Sequence, residues 1–314
     1  MFDPAGPMHE TFAVLVVRGG RIVAERYANR LPSFADDGRP VAADVPLLSW
    51  SMAKSMLHAT IGLLIADGRI ALTDRPHVPE WMEPEDPRAG ITVERLLEMR
   101  DGLAWREVYA VDAPSDVVTM LFGEGRTDVA GFAARRDLAA PPGTRFCYSS
   151  GSSNILSRHL ASVLGPGAPY ERYLRERLFD AIGMASARPT FDDAGTWIAS
   201  TFVHATARDF ARFGLLYLRD GVWAGERVLP AGWVDTARRA RSTDPDDGRR
   251  YSLHWWVAED RFGSFWANGY EGQSILVCPA LDTVLVRIGR TDPAGCARLP
   301  AWRARVLEAL AAGD

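Results

Sequence analysis

The chain has 314 residues, 47% of them hydrophobic and 24% charged, with a formal net charge of −4. This composition suits a globular protein with a large core, and the absence of a long basic run argues against nucleic acid as a partner. No apolar stretch approaches the ~20 residues of a membrane span and the N-terminus lacks a secretory pattern, so we expect a cytoplasmic protein without a membrane partner.

The first elements are a hairpin and an apolar helix. Residues 11–17 and 21–27 are two strand-like segments on either side of Gly19-Gly20, which predicts a β-hairpin. Residues 51–67 form an apolar run that ends at Gly68, a typical residue just after a helix. A helix that is apolar nearly all round is expected to be buried.

Lys54, inside this helix, is the only lysine among the 36 Lys and Arg residues. It follows Ser51 by three positions, so both side chains lie on one helical face within reach of each other. Unlike Arg, a desolvated Lys can lose its proton near neutral pH and act as a base. Ser-x-x-Lys at a helix start is the nucleophile motif of a group of serine hydrolases. The alternative is a surface lysine that follows a serine by chance.

The rest of the chain changes from helical to strand-rich. Helical patterns cover residues 93–100, 117–122, 154–164, 170–181 and 207–218, strand patterns cover 252–258, 263–268, 274–278 and 283–287, and residues 297–311 close the chain as a helix. The fold class is therefore α/β (α+β), with an antiparallel sheet built from both termini. We expect residues 1–71 and 205–314 to form one mixed domain, residues 72–204 a helical lobe, and the active site to lie in the cleft between them.

Two further clusters could carry chemistry. Tyr148 follows a Pro-Gly turn and comes just before a helix predicted from about Ser152, where a phenol could relay protons. Its alternative role is packing. The segment from Asn268 to Gln273 is rich in glycine beside a strand, so a substrate could approach its backbone closely. Its alternative is an ordinary hairpin turn.

These three clusters, in this order, resemble the serine β-lactamase-like superfamily, and within it the class C and esterase-like branch that includes 6-aminohexanoate-dimer hydrolases. The resemblance implies a β-lactamase/transpeptidase-like fold with Ser51 as acylated nucleophile, Lys54 as general base and Tyr148 as proton relay. It further implies that the N–H groups of Ser51 and Gln273 form the oxyanion hole. Ser150 occupies the place where β-lactamases commonly carry Asn.

One departure from the family bears on the substrate. Most β-lactamases and penicillin-binding proteins carry Lys-Thr-Gly at the third cluster. The only lysine of this chain is Lys54, in the first cluster, so the third cluster cannot contain that motif. The cation that would hold a β-lactam carboxylate is missing, so we expect a small ester or amide substrate. Two alternatives stay open: β-lactamase or D-amino acid peptidase activity, and a non-catalytic binding module.

Substrate contacts are expected from two loops. Glu107 and Tyr109 lie where the related hydrolases border their cleft, although they could equally belong to a loop held down by its aromatic residues. Tyr270 and Gly272 belong to the glycine-rich segment. The histidines have no ligand-like spacing and no zinc motif occurs, so we expect neither a metal nor a cofactor. The oligomeric state is not readable from the sequence.

Overall fold

The structure is a computed structural model that describes residues 2, 6, 8, 10–28, 40–83, 85–109 and 113–313. Its strands, in chain order, are β1 Glu10–Arg18, β2 Arg21–Tyr27, β3 Leu47–Leu48, β4 Arg188–Pro189, β5 Val203–Ala205, β6 Val222–Trp223, β7 Glu226–Arg227, β8 Ser242–Thr243, β9 Arg250–Tyr251, β10 Trp256–Val257, β11 Phe265–Gly269, β12 Gln273–Cys278 and β13 Thr283–Arg290.

The helices alternate with these strands and are concentrated in the middle of the chain. They are α1 Met52–Ala66, α2 Val93–Leu97, α3 Asp116–Phe122, α4 Val129–Ala134, α5 Ser150–Leu164, α6 Ala168–Leu174, α7 Ala207–Leu218, α8 Trp233–Arg238, α9 Pro293–Cys296 and α10 Leu299–Ala312, with a π-turn at Arg175–Phe179.

The two ends of the chain build one antiparallel sheet. Within the described residues it has eight strands in the order β2-β1-β13-β12-β11-β10-β9-β8. β1 pairs with β13 from Glu10 opposite Arg290 to Arg18 opposite Thr283, so the first strand closes against the last. The expected fold class and the expected hairpin are confirmed. The division of the chain at residues 72 and 205 stays a prediction.

Both faces of this sheet are covered. In β12, Ile275 and Val277 belong to the core cluster that includes α1 and α7, whereas Leu276 and Cys278 belong to the cluster that includes Leu307 of α10. This alternation follows from the period of two along a strand. A strand buried on both faces reads as a continuous apolar run, which explains the sequence of β12 and β13.

Some predicted boundaries are wrong for local reasons. The strand expected over residues 252–258 is split into β9 and β10 by a turn in which His254 has φ 59° and donates its N–H to the Leu97 carbonyl. The helix expected over 93–100 ends at Leu97, just before Met99 with φ 57°. The helix expected over 170–181 is α6 followed by the π-turn, and α5 begins at Ser150 rather than Asn154.

Helix α1 is the element that carries the Ser-x-x-Lys pair. It is buried from Met52 to Leu64 and ends at Ala66, with Asp67 as the cap residue and Gly68 after it at φ 68°, as expected of a residue just after a helix. No helix formed by the described residues combines the length and the apolar character that crossing a bilayer requires.

Candidate active site

Ser51 lies at the start of α1 on a tight turn. The residue before it, Trp50, has φ 45°, a left-handed conformation that is costly for a bulky side chain. Ser51 occupies the N-cap position, but its side chain makes none of the usual capping hydrogen bonds. Its Oγ instead accepts a hydrogen bond from Lys54 Nζ at 3.0 Å, and the residue lines a cavity.

Lys54 is enclosed by oxygen atoms. Its side chain is 2% exposed, and Nζ donates to Ser51 Oγ at 3.0 Å, to Ser150 Oγ at 3.0 Å and to the Ser200 carbonyl at 2.8 Å. Burial lowers the pKa of Lys54 to about 8, and the nearby Glu107 carboxylate acts in the opposite direction. The desolvated amine therefore loses its proton about two pH units more readily than a free lysine side chain with pKa ~10.4.

Tyr148 lies above this pair, two residues before α5. Lys54 Nζ is 5.0 Å from the centre of its ring, and the ring stacks on Trp256 with centroids 5.6 Å apart. Burial raises the pKa of the Tyr148 phenol above its ordinary range, and a hydrogen bond with Ser51 offsets this only in part. Tyr148 is therefore a neutral phenol at neutral pH.

Glu107 connects the loop after α2 to the amine. Its Oε1 accepts hydrogen bonds from Ser150 Oγ at 2.6 Å and from the Tyr109 hydroxyl at 2.7 Å. Its Oε2 accepts from Ser150 N at 2.9 Å and from Trp105 Nε1 at 2.5 Å. The Ser150 hydroxyl has one hydrogen and donates it to Glu107. Its oxygen can therefore only accept the hydrogen bond from Lys54 Nζ. The carboxylate is thus connected to Lys54 through one hydroxyl.

Replacing Glu107 with Gln is expected to move the pH profile and preserve the fold. The Gln carbonyl can face the two obligate N–H donors, and its amide can face the Ser150 and Tyr109 hydroxyls, which are able to accept. Since the carboxylate raises the pKa of Lys54, its loss lowers that pKa. If kcat/KM rises with pH as Lys54 deprotonates, the rising limb should shift to lower pH, which a pH–rate profile measures. An unshifted limb would contradict the coupling.

The glycine-rich segment meets Ser51 from the sheet side. A Cβ on Gly269 would lie 2.5 Å from the Ser49 carbonyl oxygen, so only glycine lets β11 approach the entry to α1 this closely. Tyr270, the next residue, lines the cavity that holds Ser51. Its ring stacks on Tyr109 with centroids 4.4 Å apart.

The other expected residues of this segment lie elsewhere. Gln273 is 2% exposed, and its side chain bonds the carbonyls of Tyr270 and Gly289 and the Gly289 N–H. Gly272 lines a second cavity rather than the one with Ser51. Ser150 also does not line the Ser51 cavity and contacts Lys54 instead. Their roles in the oxyanion hole and in substrate binding stay predictions.

The cavity itself has a volume of about 530 Å³ and opens to solvent between several loops. Glu107 and Tyr109 form one wall, and Tyr148 and Trp256 form another. Its rim also carries charged side chains from the β8–β9 hairpin and neighbouring segments: Arg106, Arg145, Asp244, Asp246, Asp247 and Arg249. Its size suits a small molecule.

Sequence reasoning missed three contributors. Ser200 acts through its backbone carbonyl, which no side-chain pattern reveals, and Asn154 holds it by accepting from Ser200 N at 3.1 Å. Arg287 is fully buried in β13 and donates to the carbonyls of Glu271 at 2.9 Å and Gly272 at 3.0 Å. A charge inside the otherwise apolar run of residues 284–288 could have revealed Arg287.

No metal centre is evident in the portion of the chain that the structure describes. There, no group of three or more His, Cys, Asp or Glu side chains is arranged to hold an ion.

Comparison with known proteins identifies the family. The family model described as beta-lactamase matches residues 7–309. The 6-aminohexanoate-dimer hydrolase of Paenarthrobacter ureafaciens is 30% identical over 303 residues, covering 88% of this chain and 72% of that protein.

Two solved structures share the fold. A Bacillus anthracis protein assigned to the 6-aminohexanoate-dimer hydrolases has a TM-score of 0.79 at 23% identity, over 95% of this chain and 80% of the other. A family VIII carboxylesterase has a TM-score of 0.70 at 15% identity, over 91% and 89% of the two chains. Taken with the family match and the geometry around Ser51, these findings show that the chain belongs to the β-lactamase family of serine hydrolases.

Proposed function

We propose that this protein hydrolyses a small ester or amide through an acyl-enzyme on Ser51, with Lys54 as general base and Tyr148 as proton relay. The observation that carries the proposal is the 3.0 Å contact between Lys54 Nζ and Ser51 Oγ at a buried amine. A nucleophile and a base within hydrogen-bond reach are the minimum that acyl transfer requires.

The other contacts of Lys54 decide where its lone pair points. The Ser200 carbonyl can only accept, and Ser150 Oγ already donates to Glu107, so both take an N–H from Lys54. A neutral amine has two N–H groups and one lone pair. Once Lys54 is deprotonated, its lone pair therefore faces Ser51 Oγ and can accept the hydroxyl proton as the oxygen attacks.

Tyr148 then completes the proton transfers. The Ser51 oxygen bonds to the carbonyl carbon, and the tetrahedral intermediate expels the leaving group as the bond to it breaks. The neutral phenol gives its proton to the departing oxygen or nitrogen and regains one from protonated Lys54. Water next attacks the acyl-enzyme by the reverse sequence, releasing the acid. Because burial raises the pKa of Tyr148 but lowers that of Lys54, the lysine is the better base.

Two backbone N–H groups are candidates to hold the oxyanion. Within the described residues, neither Ser51 N nor Tyr270 N donates a hydrogen bond to a backbone carbonyl, and both residues line the cavity. The close approach at Gly269 brings Tyr270 toward Ser51. The backbone N–H of Tyr270 is therefore a better candidate for the second oxyanion donor than the expected N–H of Gln273. One such donor contributes roughly 10²–10³ in rate.

Substrate class is inferred from two features. The relatives include a 6-aminohexanoate-dimer hydrolase, whose name indicates a dimer of an amino acid joined through an amide, and a carboxylesterase. The third motif contains no lysine, which favours ester or amide hydrolysis over β-lactam hydrolysis. We assign the activity to the esterase and amidase type.

Covalent labelling tests the proposal directly. Incubation with a fluorophosphonate should add the mass of one phosphonyl group on the peptide containing Ser51, and a p-nitrophenyl ester should be turned over. The Ser51→Ala variant should show neither effect while melting at a similar temperature. Folded wild-type protein that neither reacts nor hydrolyses would instead support a binding module. Nitrocefin turnover comparable to that of the ester would overturn the assignment against β-lactams.

A further inference from the structure

The turn that joins β11 to β12 carries the second proposed oxyanion donor. It spans Tyr270–Gly272, and the two strands meet where Gly269 lies opposite Gln273. An oxyanion hole presents N–H groups to the developing negative oxygen. A carbonyl oxygen directed at the same point would repel that oxygen. The carbonyls of this turn therefore have to be held away from the cavity that contains Ser51.

Two buried side chains hold all three of these carbonyls. Gln273 Nε2 donates to the Tyr270 carbonyl at 2.9 Å. Arg287 Nη1 donates to the carbonyls of Glu271 at 2.9 Å and Gly272 at 3.0 Å. Arg287 is fully buried and Gln273 is 2% exposed, so the carbonyls are directed toward the interior. Tyr270 N, in contrast, donates to no backbone carbonyl among the described residues.

The register of the sheet places Arg287 beside the turn. In β13 it lies opposite Ser274 of β12, the second residue after the turn. Its guanidinium passes close to Gly272, where a Cβ would lie 2.6 Å from Nη1. Glycine at this position, with φ 85°, therefore gives the guanidinium room to reach both carbonyls.

The other nitrogen of the guanidinium is fixed to three further oxygens. Nη2 donates to the Thr11 hydroxyl at 3.1 Å, to the Met8 carbonyl at 3.4 Å and to the Thr291 hydroxyl. The Thr291 hydroxyl donates to the Met8 carbonyl at 2.8 Å, and Thr291 N donates to the Glu271 carbonyl at 3.2 Å. One planar group thus ties the turn to β1 and to the residue after β13.

The backbone conformation of the turn depends on such an anchor. Glu271 has φ 60° and ψ 21°, a left-handed conformation that is costly for residues other than glycine and persists where the surroundings fix it. Its carbonyl accepts from both Arg287 Nη1 and Thr291 N. Because β12 holds the chain after the turn, a change in the Glu271 torsions would move Tyr270 and its N–H relative to the sheet.

The charge of Arg287 has no counter-ion in contact with it. Among the described residues it forms no ion pair. Burial lowers its pKa to about 10, which still leaves it charged at neutral pH. A buried charge without a partner is unfavourable, and apolar residues of similar volume often replace buried charges without loss of stability. What an apolar residue lacks is the fork of N–H donors that reaches the turn.

We propose that Arg287, assisted by Gln273, is a positioning residue for the oxyanion hole. It holds the carbonyls of the turn inward, so that the N–H of Tyr270 is presented to the substrate oxygen. This inference rests on the proposed function, because it identifies what aims one donor of the proposed acyl transfer. Arg287 does not line the cavity that holds Ser51, so it acts through the turn and not on the substrate.

The test compares an oxygen ester with its sulfur analogue. The substrates are p-nitrophenyl acetate and O-(p-nitrophenyl) thionoacetate, in which sulfur replaces the carbonyl oxygen. Sulfur is a weak hydrogen-bond acceptor, so an aligned oxyanion hole should favour the oxygen ester. The ratio of the two kcat/KM values, oxygen over sulfur, therefore measures that alignment.

Arg287→Met should lower this ratio by up to the roughly 10²–10³ that one oxyanion donor contributes. Arg287→Lys should give an intermediate ratio, because an ammonium keeps the charge but not the planar fork. Gln273→Met, which removes the bond to the Tyr270 carbonyl, should also lower the ratio. The pH of the rising limb should stay the same in the Arg287 variants, since Arg287 does not contribute to the pKa shift of Lys54.

Leu285→Ala is the matched control for lost stability. Leu285 is fully buried on the same face of β13 as Arg287, but it lies opposite Leu276 of β12 and away from the turn. Its truncation should lower the melting temperature and leave the oxygen-to-sulfur ratio at the wild-type value.

A lower ratio in Arg287→Met, with the ratio kept in Leu285→Ala, supports the inference. If Arg287→Met does not fold, the ratios of Arg287→Lys and Gln273→Met decide in the same way. An unchanged ratio in the folded variants, or an equal decrease in Leu285→Ala, overturns the inference even if the wild type hydrolyses the ester. Wild type that shows neither turnover nor labelling of Ser51 overturns the proposed function instead.

Discussion

Replacing Lys54 with methionine is expected to lower kcat by roughly 10²–10⁴, the contribution of a positioned general base. Methionine nearly matches the length and apolar character of the lysine stem in a site where the side chain is 2% exposed, so it should not introduce a new buried charge. The lost group is the amine that contacts Ser51 Oγ at 3.0 Å. Steady-state kinetics on a p-nitrophenyl ester measures the change, and a thermal melt verifies folding.

The Lys54→Arg variant separates charge from basicity. A guanidinium keeps the positive charge but stays protonated at any accessible pH, so it cannot accept the Ser51 proton, and activity should remain low. For wild type, kcat/KM should rise as pH increases through about 8, because the proposed general base is the deprotonated form of Lys54. A Lys54→Arg enzyme with near wild-type kcat would refute the role of Lys54 as base.

Replacing Tyr148 with phenylalanine is expected to lower kcat with a poor leaving group by roughly 10²–10⁴, because the proposed proton donor is removed. The ring and its stacking on Trp256 at 5.6 Å are kept, so substrate binding and folding should change little. The effect should be larger for an alkyl ester or an amide, whose leaving group must be protonated, than for a p-nitrophenyl ester, whose leaving group departs as an anion.

Trp266→Phe offers a structural comparison for Tyr148→Phe. Trp266 belongs to the same aromatic stack but does not line the cavity with Ser51. The Trp266→Phe substitution should therefore leave the dependence of kcat on the leaving group unchanged. Equal losses for activated and unactivated esters in Tyr148→Phe would indicate a packing role for the tyrosine. The measurement is kcat across esters of increasing leaving-group pKa.

Several features of the fold were predictable because they depend on local pattern. The hairpin at β1 and β2, the helix α1 with Gly68 after it, and α7 at Ala207–Leu218 follow from residues with a strand preference, apolar or periodic helical runs and turn residues. The split between β9 and β10 was not predictable. It depends on a hydrogen bond from His254 N to the Leu97 carbonyl, which lies far away in the sequence.

The candidate site also has some features that local sequence pattern predicts and others that it does not. Spacing alone puts Ser51 and Lys54 on one face of a helix, and the 3.0 Å contact between them is as expected. Glu107 was expected to touch the substrate, but the hydrogen bond that it accepts from the Ser150 hydroxyl also connects it to Lys54. That connection requires a loop, a helix N-terminus and α1 to meet, which no local pattern encodes.

The sequence by itself determined which groups are available: one lysine, placed three residues after a serine at the start of an apolar helix, and none for the third motif. The tertiary structure decided how that lysine behaves. Its pKa of about 8 comes from burial, and the direction of its lone pair comes from Ser150 and from the Ser200 carbonyl, 96 and 146 positions away in the sequence. Desolvation and hydrogen-bond partners are supplied by distant segments, so only the folded chain lowers the pKa of this amine and orients its lone pair.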